Sequence, residues 1–272
     1  MLNLMFFEKE HTDILSGTNN KILQFATMSF DVSYQEIYSA LLFGNTLVLI
    51  DDASRKNMNK LSDYIIDKRI NTLFIPPAYL KLLVENNIIV NKLSTSIKNI
   101  ITAGEALVIT SGMKTLLNNG IKIHNHYGPA ETHVATTYTV DKKNVSLTPP
   151  IGKPISNTNV YIFDNNHNLC PIGIIGEIAI SGDCVGNGYI NNADLTAQKF
   201  LINKYNNKKM YLTGDLGYYD YNGIVNYIGR SDFQVKINGF RIELGEIDHC
   251  LNDLDEIGSS ISIIHDENEK NT

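Results

Sequence analysis

The fold is decided by residues 97–127, which read IKNIITAGEALVITSGMKTLLNNGIKIHNHY. The apolar run at 97–102 predicts a strand, a helical pattern follows and ends near Gly120, and the apolar run at 121–125 predicts a second strand. A helix between two short apolar runs indicates a βαβ unit, whose strands lie parallel in one sheet.

The same alternation extends towards the amino terminus. Strands are predicted at 46–50 and 72–75, a helix through Leu61 and Ile65 lies between them, and another helix runs through Leu80 and Leu83. The fold class is therefore α/β, a parallel sheet with flanking helices.

A further helix is predicted to begin at Ser33. Ser33 and Glu36 have the spacing of a capping box, and Gly44 ends the pattern. The apolar residues of this helix fall on one face, as in a helix that packs against a core; they are Tyr34, Ile37, Tyr38, Leu41 and Leu42.

The pattern changes after Pro149 and Pro150. Short strands are predicted at 159–163, 176–180, 210–216 and 224–228, with one short helix near 195–200, which indicates a small β-rich subdomain, a distorted barrel. Asn238 and Gly239 then separate two alternating runs and favour a hairpin, followed by a helix at 244–254. We predict an α/β part at 1–148, a β-rich part at 149–230, and the incomplete beginning of a C-terminal α+β subdomain at 231–272.

Composition excludes several classes. The 272 residues are 43% hydrophobic and 19% charged, as in ordinary globular chains, and the net charge of −6 speaks against nucleic acid, which needs a basic face. The apolar start, 1–7, meets Glu8 too soon for a membrane or signal segment and is interpreted as a packed helix. Three distant cysteines suggest neither a disulfide framework nor a zinc site, so we expect a cytoplasmic protein without membrane partners.

Ligands of open α/β sheets bind beyond the carboxyl ends of the strands. Three segments meet there in the predicted sheet, at 74–77, 101–105 and 125–132. The sequence therefore predicts the functional site at this edge.

Six motifs occur in one order along the chain: FDVS at 30–33, AGEAL at 103–107, NHYGPAET at 125–132, the segment 176–189, YLTGDL at 211–216, and GRSDFQVKINGFRIELGEID at 229–248. Together they resemble the adenylation domains of nonribosomal peptide synthetases. The resemblance implies an ATP-dependent ligase that forms an aminoacyl adenylate and pyrophosphate, and then transfers the acyl group to the phosphopantetheine thiol of a carrier protein. It implies ATP and Mg²⁺ as cofactors, carrier and condensation domains as partners, and a role in antibiotic biosynthesis.

The resemblance also assigns residues to a nucleotide site. Tyr127 would offer a ring face to adenine, Gly128 a close backbone approach, and Asp215 acceptors for the ribose hydroxyls. Glu131 would bind Mg²⁺ and Asp232 would be the hinge. The full set of nucleotide-binding residues is Gly104, Glu105, Asn125, Tyr127, Gly128, Asp215 and Arg230.

The residues implied to line the amino-acid pocket are Asp31, Val32, Gln35, Phe74, Ile101, Ala103, His126, Val134 and Ala135. They resemble the pocket of proline-activating domains, with Asp31 pairing the substrate nitrogen and the apolar residues forming a box for its ring. A cap on the following helix is the other interpretation of Asp31, although Ser33 and Glu36 already serve there. Gln35 and His126 are less easily explained by an apolar ligand.

Two departures from the family pattern matter. Ala130 replaces the usual threonine of the Tyr-Gly-Pro-Thr-Glu motif, and the family's phosphate-binding loop and C-terminal lysine have no counterpart. Because catalysis of this kind depends on cations around the phosphates, we expect a chain truncated at both ends, with little activity alone and with uncovered apolar faces. No catalytic residue is assigned.

Three alternatives remain open. The chain could be a non-catalytic truncated module that acts only in interactions. His124, His126 and His133 could hold a transition metal in an enzyme of another class. Acyl-coenzyme A synthetases and luciferase-like enzymes share the superfamily, but a fatty acyl chain would leave Asp31 unpaired.

Overall fold

The computed structural model describes residues 1–12, 14–15, 19–231, 234–237, 240–252, 254, 257 and 260–263. Its helices are α1 (Leu2–His11), α2 (Val32–Leu41), α3 (Asp52–Arg55), α4 (Met58–Lys68), α5 (Pro77–Leu83), α6 (Asn87–Leu93), α7 (Ser111–Asn118), α8 (Ala193–Lys199) and α9 (Leu244–Asn252). Its strands are β1 (Lys21–Gln24), β2 (Thr46–Leu49), β3 (Thr72–Phe74), β4 (Asn99–Thr102), β5 (Lys122–Tyr127), β6 (Thr136–Thr139), β7 (Lys153–Pro154), β8 (Thr158–Phe163), β9 (Gly176–Gly182), β10 (Phe200–Ile202), β11 (Lys209–Tyr219), β12 (Val225–Arg230), β13 (Gln234–Ile237) and β14 (Phe240–Glu243).

The first sheet has the strand order β2-β1-β3-β4-β5-β6-β7. The strands β1 to β5 pair in parallel, which confirms the predicted α/β class and the βαβ unit of β4, α7 and β5. The last two strands, β6 and β7, pair in antiparallel fashion and were not predicted.

The two faces of this sheet are covered by different helices. Leu73, Ile100 and Ile123 face a large core with the apolar residues of α4 to α7, and burying each such side chain stabilises the fold by roughly 1.5–3 kcal/mol. Ile22 and Ile101 face the opposite side, where Ala40 of α2 packs against them. The side covered by α2 carries the candidate site.

The orientation of α2 differs from the prediction. Its buried residues are mainly polar, Ser33, Gln35, Glu36, Ser39 and Ala40, whereas Tyr34, Tyr38, Leu41 and Leu42 are exposed. The predicted capping box is also wrong. The carboxylate of Glu36 accepts hydrogen bonds from the backbone N–H groups of Phe25 and Ala26, so Glu36 supports the segment after β1.

The strand β2 confirms the strand predicted at 46–50, but it is an edge strand and is not buried as a continuous apolar run would suggest. It pairs with β1 alone among the described strands, and Leu49 is 64% exposed. The apolar run was correct evidence for a strand, because a strand that is paired on one side keeps the same residue preferences.

The described part of the second sheet runs β10-β11-β9-β8, with β12 paired to β11. Since β8 and β10 do not pair with each other among the described strands, this sheet is open. The predicted distorted barrel is therefore wrong for the described part of the sheet. The short helix α8 lies where the sequence predicted one. The resulting architecture is a mixed α/β fold with one mainly parallel sheet and a second antiparallel sheet.

The C-terminal hairpin is confirmed as a pair of strands. The strands β13 and β14 pair in antiparallel fashion, with Ile237 opposite Phe240, and α9 follows. The predicted turn residues Asn238 and Gly239 and the predicted hinge Asp232 lie outside the described residues. The domain limits given above stay predictions.

Within the described part of the chain, no helix combines the length and the apolar character that crossing a bilayer requires.

Candidate active site

The candidate site lies where the strands β3, β4 and β5 end. Phe74 pairs with Ile101, and Ile101 pairs with His124. Paired residues of parallel neighbours face the same side of a sheet, and every second residue of a strand returns to that side. His126 therefore shares a face with Phe74 and Ile101, and this face is the one that α2 covers.

Three residues of the predicted apolar pocket pack together on this face. Val32 at the start of α2 packs against a cluster that includes Phe74 and Ile101, each of which is 2% exposed. Ala103 follows β4 directly and is half-buried. These residues lie where the sequence placed one wall of a recess.

Val134 and Ala135 are buried in other clusters. Val134 packs with Leu4 and Met5 of α1, and Ala135 packs with Ile151 and Ile178 beside the second sheet. The structure therefore does not place these two residues in the cluster around Val32.

Gln35 and His126 contact each other and a residue that the sequence did not single out, Glu8. The Nε2 atom of Gln35 donates to Oε1 of Glu8 at 2.6 Å and lies 3.4 Å from Nδ1 of His126. Burial raises the pKa of Glu8 to about 8, against hydrogen bonds from Gln35 and Ser39, and burial lowers the pKa of His126 well below its usual value. Although Glu8 Oε1 and His126 Nδ1 lie 3.9 Å apart, the pair is uncharged at neutral pH.

Asp31 forms an ion pair with His133, the second partner that sequence reasoning missed. The Nδ1 atom of His133 lies 2.8 Å from Oδ2 of Asp31, and 49% of the Asp31 side chain is exposed. Burial alone would raise the pKa of Asp31, but the hydrogen bond and the charge of His133 outweigh it, so the pKa lies below its usual value. Asp31 makes no side-chain cap on α2, so the capping interpretation is wrong.

A second carboxylate, Asp215, joins Tyr127 to Arg230. The hydroxyl of Tyr127 donates to Oδ2 at 2.6 Å, and Nη1 of Arg230 donates to Oδ1 at 2.7 Å. Burial and the charge of Asp215 raise the pKa of Tyr127 well above its usual value, so the phenol keeps its proton. Three of the residues assigned to the nucleotide site are thus in direct contact, while their roles towards a nucleotide stay predictions.

The remaining residues assigned to that site have distinct surroundings. Asn125 is buried and donates to the carbonyl oxygen of Pro150 at 2.9 Å. Gly104 has φ +98° and open space where a Cβ would stand. Glu105 follows it and is half-buried. A Cβ on Gly128 would overlap with the carbonyl oxygen of His133, so the protein itself requires glycine there.

Glu131 lies within reach of the second sheet. The hydroxyl of Tyr189 donates to its Oε1 at 2.7 Å and lies 3.1 Å from the hydroxyl of Tyr211. Burial, together with Tyr189 and the charge of Glu131, raises the pKa of Tyr211. Glu131 remains half-buried, and a carboxylate in this position suits a hard cation such as Mg²⁺.

The three histidines of the metal hypothesis point to separate partners. His124 contacts Thr139 and Asn99, whereas His126 and His133 contact residues already described. Among the described residues, no three side chains of the metal-ligating types converge. The transition-metal alternative is therefore not favoured.

A cavity of about 530 Å³ lies at the amino-terminal end of β5, away from the candidate site. Its lining includes His11, Lys122, His124 and Asp141. Lys122 begins β5, so this cavity lies at the far end of that strand from Tyr127.

Comparison with known proteins matches the chain to a family of AMP-binding enzymes. A family model described as AMP-binding enzyme matches residues 2–190. Gramicidin S synthase 2 of Brevibacillus brevis is 46% identical over 254 residues, which are 92% of this chain and 6% of that protein. Tyrocidine synthase 2 of Brevibacillus parabrevis is 47% identical, over 92% of this chain and 7% of that protein. The chain thus spans a small part of the length of these relatives.

Solved structures show the same fold. The structure of IdnL1 has a TM-score of 0.86 over 96% of this chain and 55% of that chain, at 21% identity, a likeness that concerns the fold alone. Holo-PA1221, described as a protein of nonribosomal peptide synthesis that contains adenylation and PCP domains and is bound to a vinylsulfonamide inhibitor, has a TM-score of 0.79 at 27% identity. This second match covers 86% of this chain and 41% of that chain.

Proposed function

The chain belongs to the family of AMP-binding enzymes, and from this premise we propose that it recognises an amino acid and ATP for adenylation in nonribosomal peptide synthesis. In the reaction, a carboxylate oxygen of the amino acid bonds to the α-phosphorus of ATP while the bond from that phosphorus to the β-phosphate oxygen breaks, and pyrophosphate leaves. The thiolate of a carrier domain's phosphopantetheine then bonds to the acyl carbon, and AMP leaves. The two synthetases that align with 92% of this chain support this assignment.

The observation that carries the proposal is the state of Asp31. It is ionised, partly exposed, and located beside the apolar cluster of Val32, Phe74 and Ile101. An anion at the rim of an apolar surface suits a ligand that combines a charged nitrogen with a small hydrocarbon body, because the nitrogen is paired while the body leaves water. An amino acid has this combination.

We propose L-proline as the substrate. Its pyrrolidine ring offers only hydrocarbon to Phe74 and Ile101, and its secondary ammonium offers donors to Asp31. Gln35 and His126, which carry no charge at neutral pH, can close such a recess without demanding a charged ligand. A recess of this kind separates near-sized substrates by only about 1–3 kcal/mol per methylene, so related imino acids are expected to bind as well.

The nucleotide would bind beside Tyr127, Asp215 and Arg230. Gly104 offers a backbone surface without a Cβ, and Arg230 adds a permanent cation beside Asp215. Glu131 would hold Mg²⁺, which favours one or two carboxylates together with phosphate oxygens and supplies charge neutralisation when bound. This limited donor set agrees with the lack of a three-ligand cluster among the described residues.

Binding of adenylate mimics tests the proposal without requiring turnover. Prolyl, leucyl and phenylalanyl sulfamoyl adenosine are titrated calorimetrically into the purified chain and into Asp31→Asn. We expect the prolyl mimic to bind most tightly, and Asp31→Asn to weaken it by roughly 10-fold to 150-fold, the value of about 1.5–3 kcal/mol for a hydrogen bond to a charged group.

Asp164→Asn is the matched control, because this carboxylate lies on an exposed turn of the second sheet. It is expected to bind all three mimics as the wild type does. Equal affinity of Asp31→Asn and wild type for the prolyl mimic contradicts the role of Asp31. Failure of the wild type to bind any mimic contradicts the proposed function and favours a module that acts only in interactions.

A further inference from the structure

The helix α1 buries a carboxyl group in the core. Its buried residues are Leu4, Met5 and Glu8, which lie on one face at helical spacing. Glu8 has no exposed surface, and the other two buried residues on this face are apolar and cannot hydrogen-bond its carboxyl group as oxygen or nitrogen donors would. A carboxyl group is rarely buried to this degree unless its neighbours satisfy it.

The neighbours of Glu8 are two residues of the candidate amino-acid recess. Gln35 donates from Nε2 to Oε1 of Glu8 at 2.6 Å, and the same Nε2 lies 3.4 Å from Nδ1 of His126. An amide NH₂ group can only donate, so Nδ1 of His126 is the atom placed to accept from Gln35. Gln35 and His126 are 1% and 2% exposed.

The three side chains form an uncharged unit. Burial raises the pKa of Glu8 to about 8 and lowers the pKa of His126, so each is neutral near pH 7. Two buried atoms of the unit, Glu8 Oε2 and His126 Nε2, have no hydrogen-bond partner among the described residues. Apolar side chains would fill this volume without the free-energy cost of burying polar atoms that lack partners. We therefore look for the role of the polar unit in the residues that it positions.

The unit connects three elements, α1, α2 and β5. Gln35 follows Asp31 by one helical turn on α2, and His126 shares its sheet face with Phe74 and Ile101. Glu8 comes from α1, accepts the hydrogen bond from Gln35 and lies 3.9 Å from His126. Without Glu8, Gln35 loses its acceptor at 2.6 Å, and His126 keeps its 3.4 Å contact to a Gln35 side chain that is no longer fixed.

We propose that Glu8 is a positioning residue for substrate size, which holds Gln35 and His126 so that they close the recess to amino acids larger than proline. This inference rests on the proposed function, because it concerns the same recess. Glu8 has no exposed surface and contacts Gln35 and His126, so it acts through them and not by contact with the substrate.

The test compares the prolyl, pipecolyl and phenylalanyl sulfamoyl adenosines on three variants. Glu8→Gln keeps the length of the side chain and an acceptor for Gln35, so its ratio of dissociation constants, pipecolyl to prolyl, should stay within about 2-fold of wild type. Glu8→Ala removes the acceptor and opens space behind the recess. Its ratio should fall by about 10-fold or more, since one methylene is worth about 10-fold to 200-fold in a closed pocket.

Leu61→Ala is the control for lost stability, because Leu61 is fully buried in the core on the other face of the sheet. It should lower Tm without altering the ratio. An unchanged ratio in Glu8→Ala, with prolyl binding retained, overturns the inference while leaving the proposed function intact. Absence of binding by the wild type overturns both.

If Glu8→Ala does not fold, Glu8→Met replaces it. Methionine keeps a similar length without an oxygen acceptor, so Gln35 loses its partner while the volume stays filled. The ratio should still fall by about 10-fold, the value of one methylene in a closed pocket, because Gln35 and His126 are no longer fixed. A Glu8→Met ratio equal to that of Glu8→Gln overturns the inference as well.

Discussion

The fold should lose stability as the pH rises from about 5.5 to 7.5, and Glu8→Gln should remove part of this loss. Burial raises the pKa of Glu8 to about 8 from an ordinary value of 4.5. In this window the folded protein keeps a proton on Glu8 that the unfolded chain has released. The stabilising contribution of the protonated carboxyl is therefore complete below pH 4.5 and is lost as the pH rises towards 8.

The magnitude follows from the linkage relation. A proton held in the folded state alone changes the free energy of unfolding by about 1.4 kcal/mol per pH unit, so Glu8 accounts for a fall of about 2.5 kcal/mol over these two units. Burial raises the pKa of Glu36 to about 8 as well, which adds a similar fall. The lowered pKa of His126 has the opposite effect on stability at pH values below the ordinary pKa of histidine, because the unfolded chain then binds a proton that the folded protein does not. Glu36 and His126 are present in Glu8→Gln, so the difference between the two curves isolates Glu8.

Urea unfolding measures this difference. The chain contains no tryptophan, so far-ultraviolet circular dichroism is the suitable signal, at pH values of about 5.5, 6.5 and 7.5. Glu10→Gln is the matched control, because Glu10 lies exposed on the same helix and stays in water in both states; it should follow the wild-type curve. Parallel curves for wild type and Glu8→Gln would refute the argument, since they would mean that Glu8 holds no extra proton in the folded protein.

The other predictions concern Asp215 and Gly128. Arg230→Ala should lower the free energy of unfolding by about 3 kcal/mol in urea titration, because it leaves the buried Asp215 carboxylate without its cation. Arg230→Lys should lose clearly less, and equal losses would refute the charge argument. Gly128→Ala should prevent folding or lower Tm strongly, since its Cβ would overlap with the His133 carbonyl, whereas Gly223→Ala, at φ +69° with open space, should cost only about 1 kcal/mol. Similar Tm values for the two alanine variants would contradict the close approach.

The parallel strands were predictable because buried strands are continuous apolar runs. The strands β3, β4 and β5 lie within a few residues of their predicted positions. The strands β6 and β7 were missed, since β6 reads Thr-Thr-Tyr-Thr and β7 has two residues, so neither offers an apolar run.

The burial of α2 was not predictable from hydrophobic periodicity. That reasoning assumes an apolar core, but the neighbours of α2 include Glu8 and the backbone donors of Phe25 and Ala26, so its polar face is the buried one. A carboxyl group on the apolar face of α1 was the available signal for such a core.

In the candidate site, the carboxylates were predictable from the sequence, but their contacts were not. The motif resemblance named Asp31 and Asp215, and strand order predicted the edge of the sheet where the site lies. The direct contacts of these carboxylates could not be named, because His133 is 102 residues from Asp31 and Tyr127 is 88 residues from Asp215. Such contacts depend on the tertiary packing of segments that are distant in sequence, which local patterns do not encode.

The carboxylate of Asp215 also has a mechanical consequence. It tethers Tyr127 in the first sheet to Arg230 at the end of the last strand before the C-terminal hairpin. A force that turns the hairpin of β13 and β14 also acts on β12, which ends at Arg230. Turning β12 would require breaking the charge-assisted hydrogen bond between Arg230 and Asp215. The backbone is held beyond Arg230 as well, since the N–H and the hydroxyl of Ser231 both donate to the carbonyl oxygen of Gly214, so a load on β12 is shared between the two sheets.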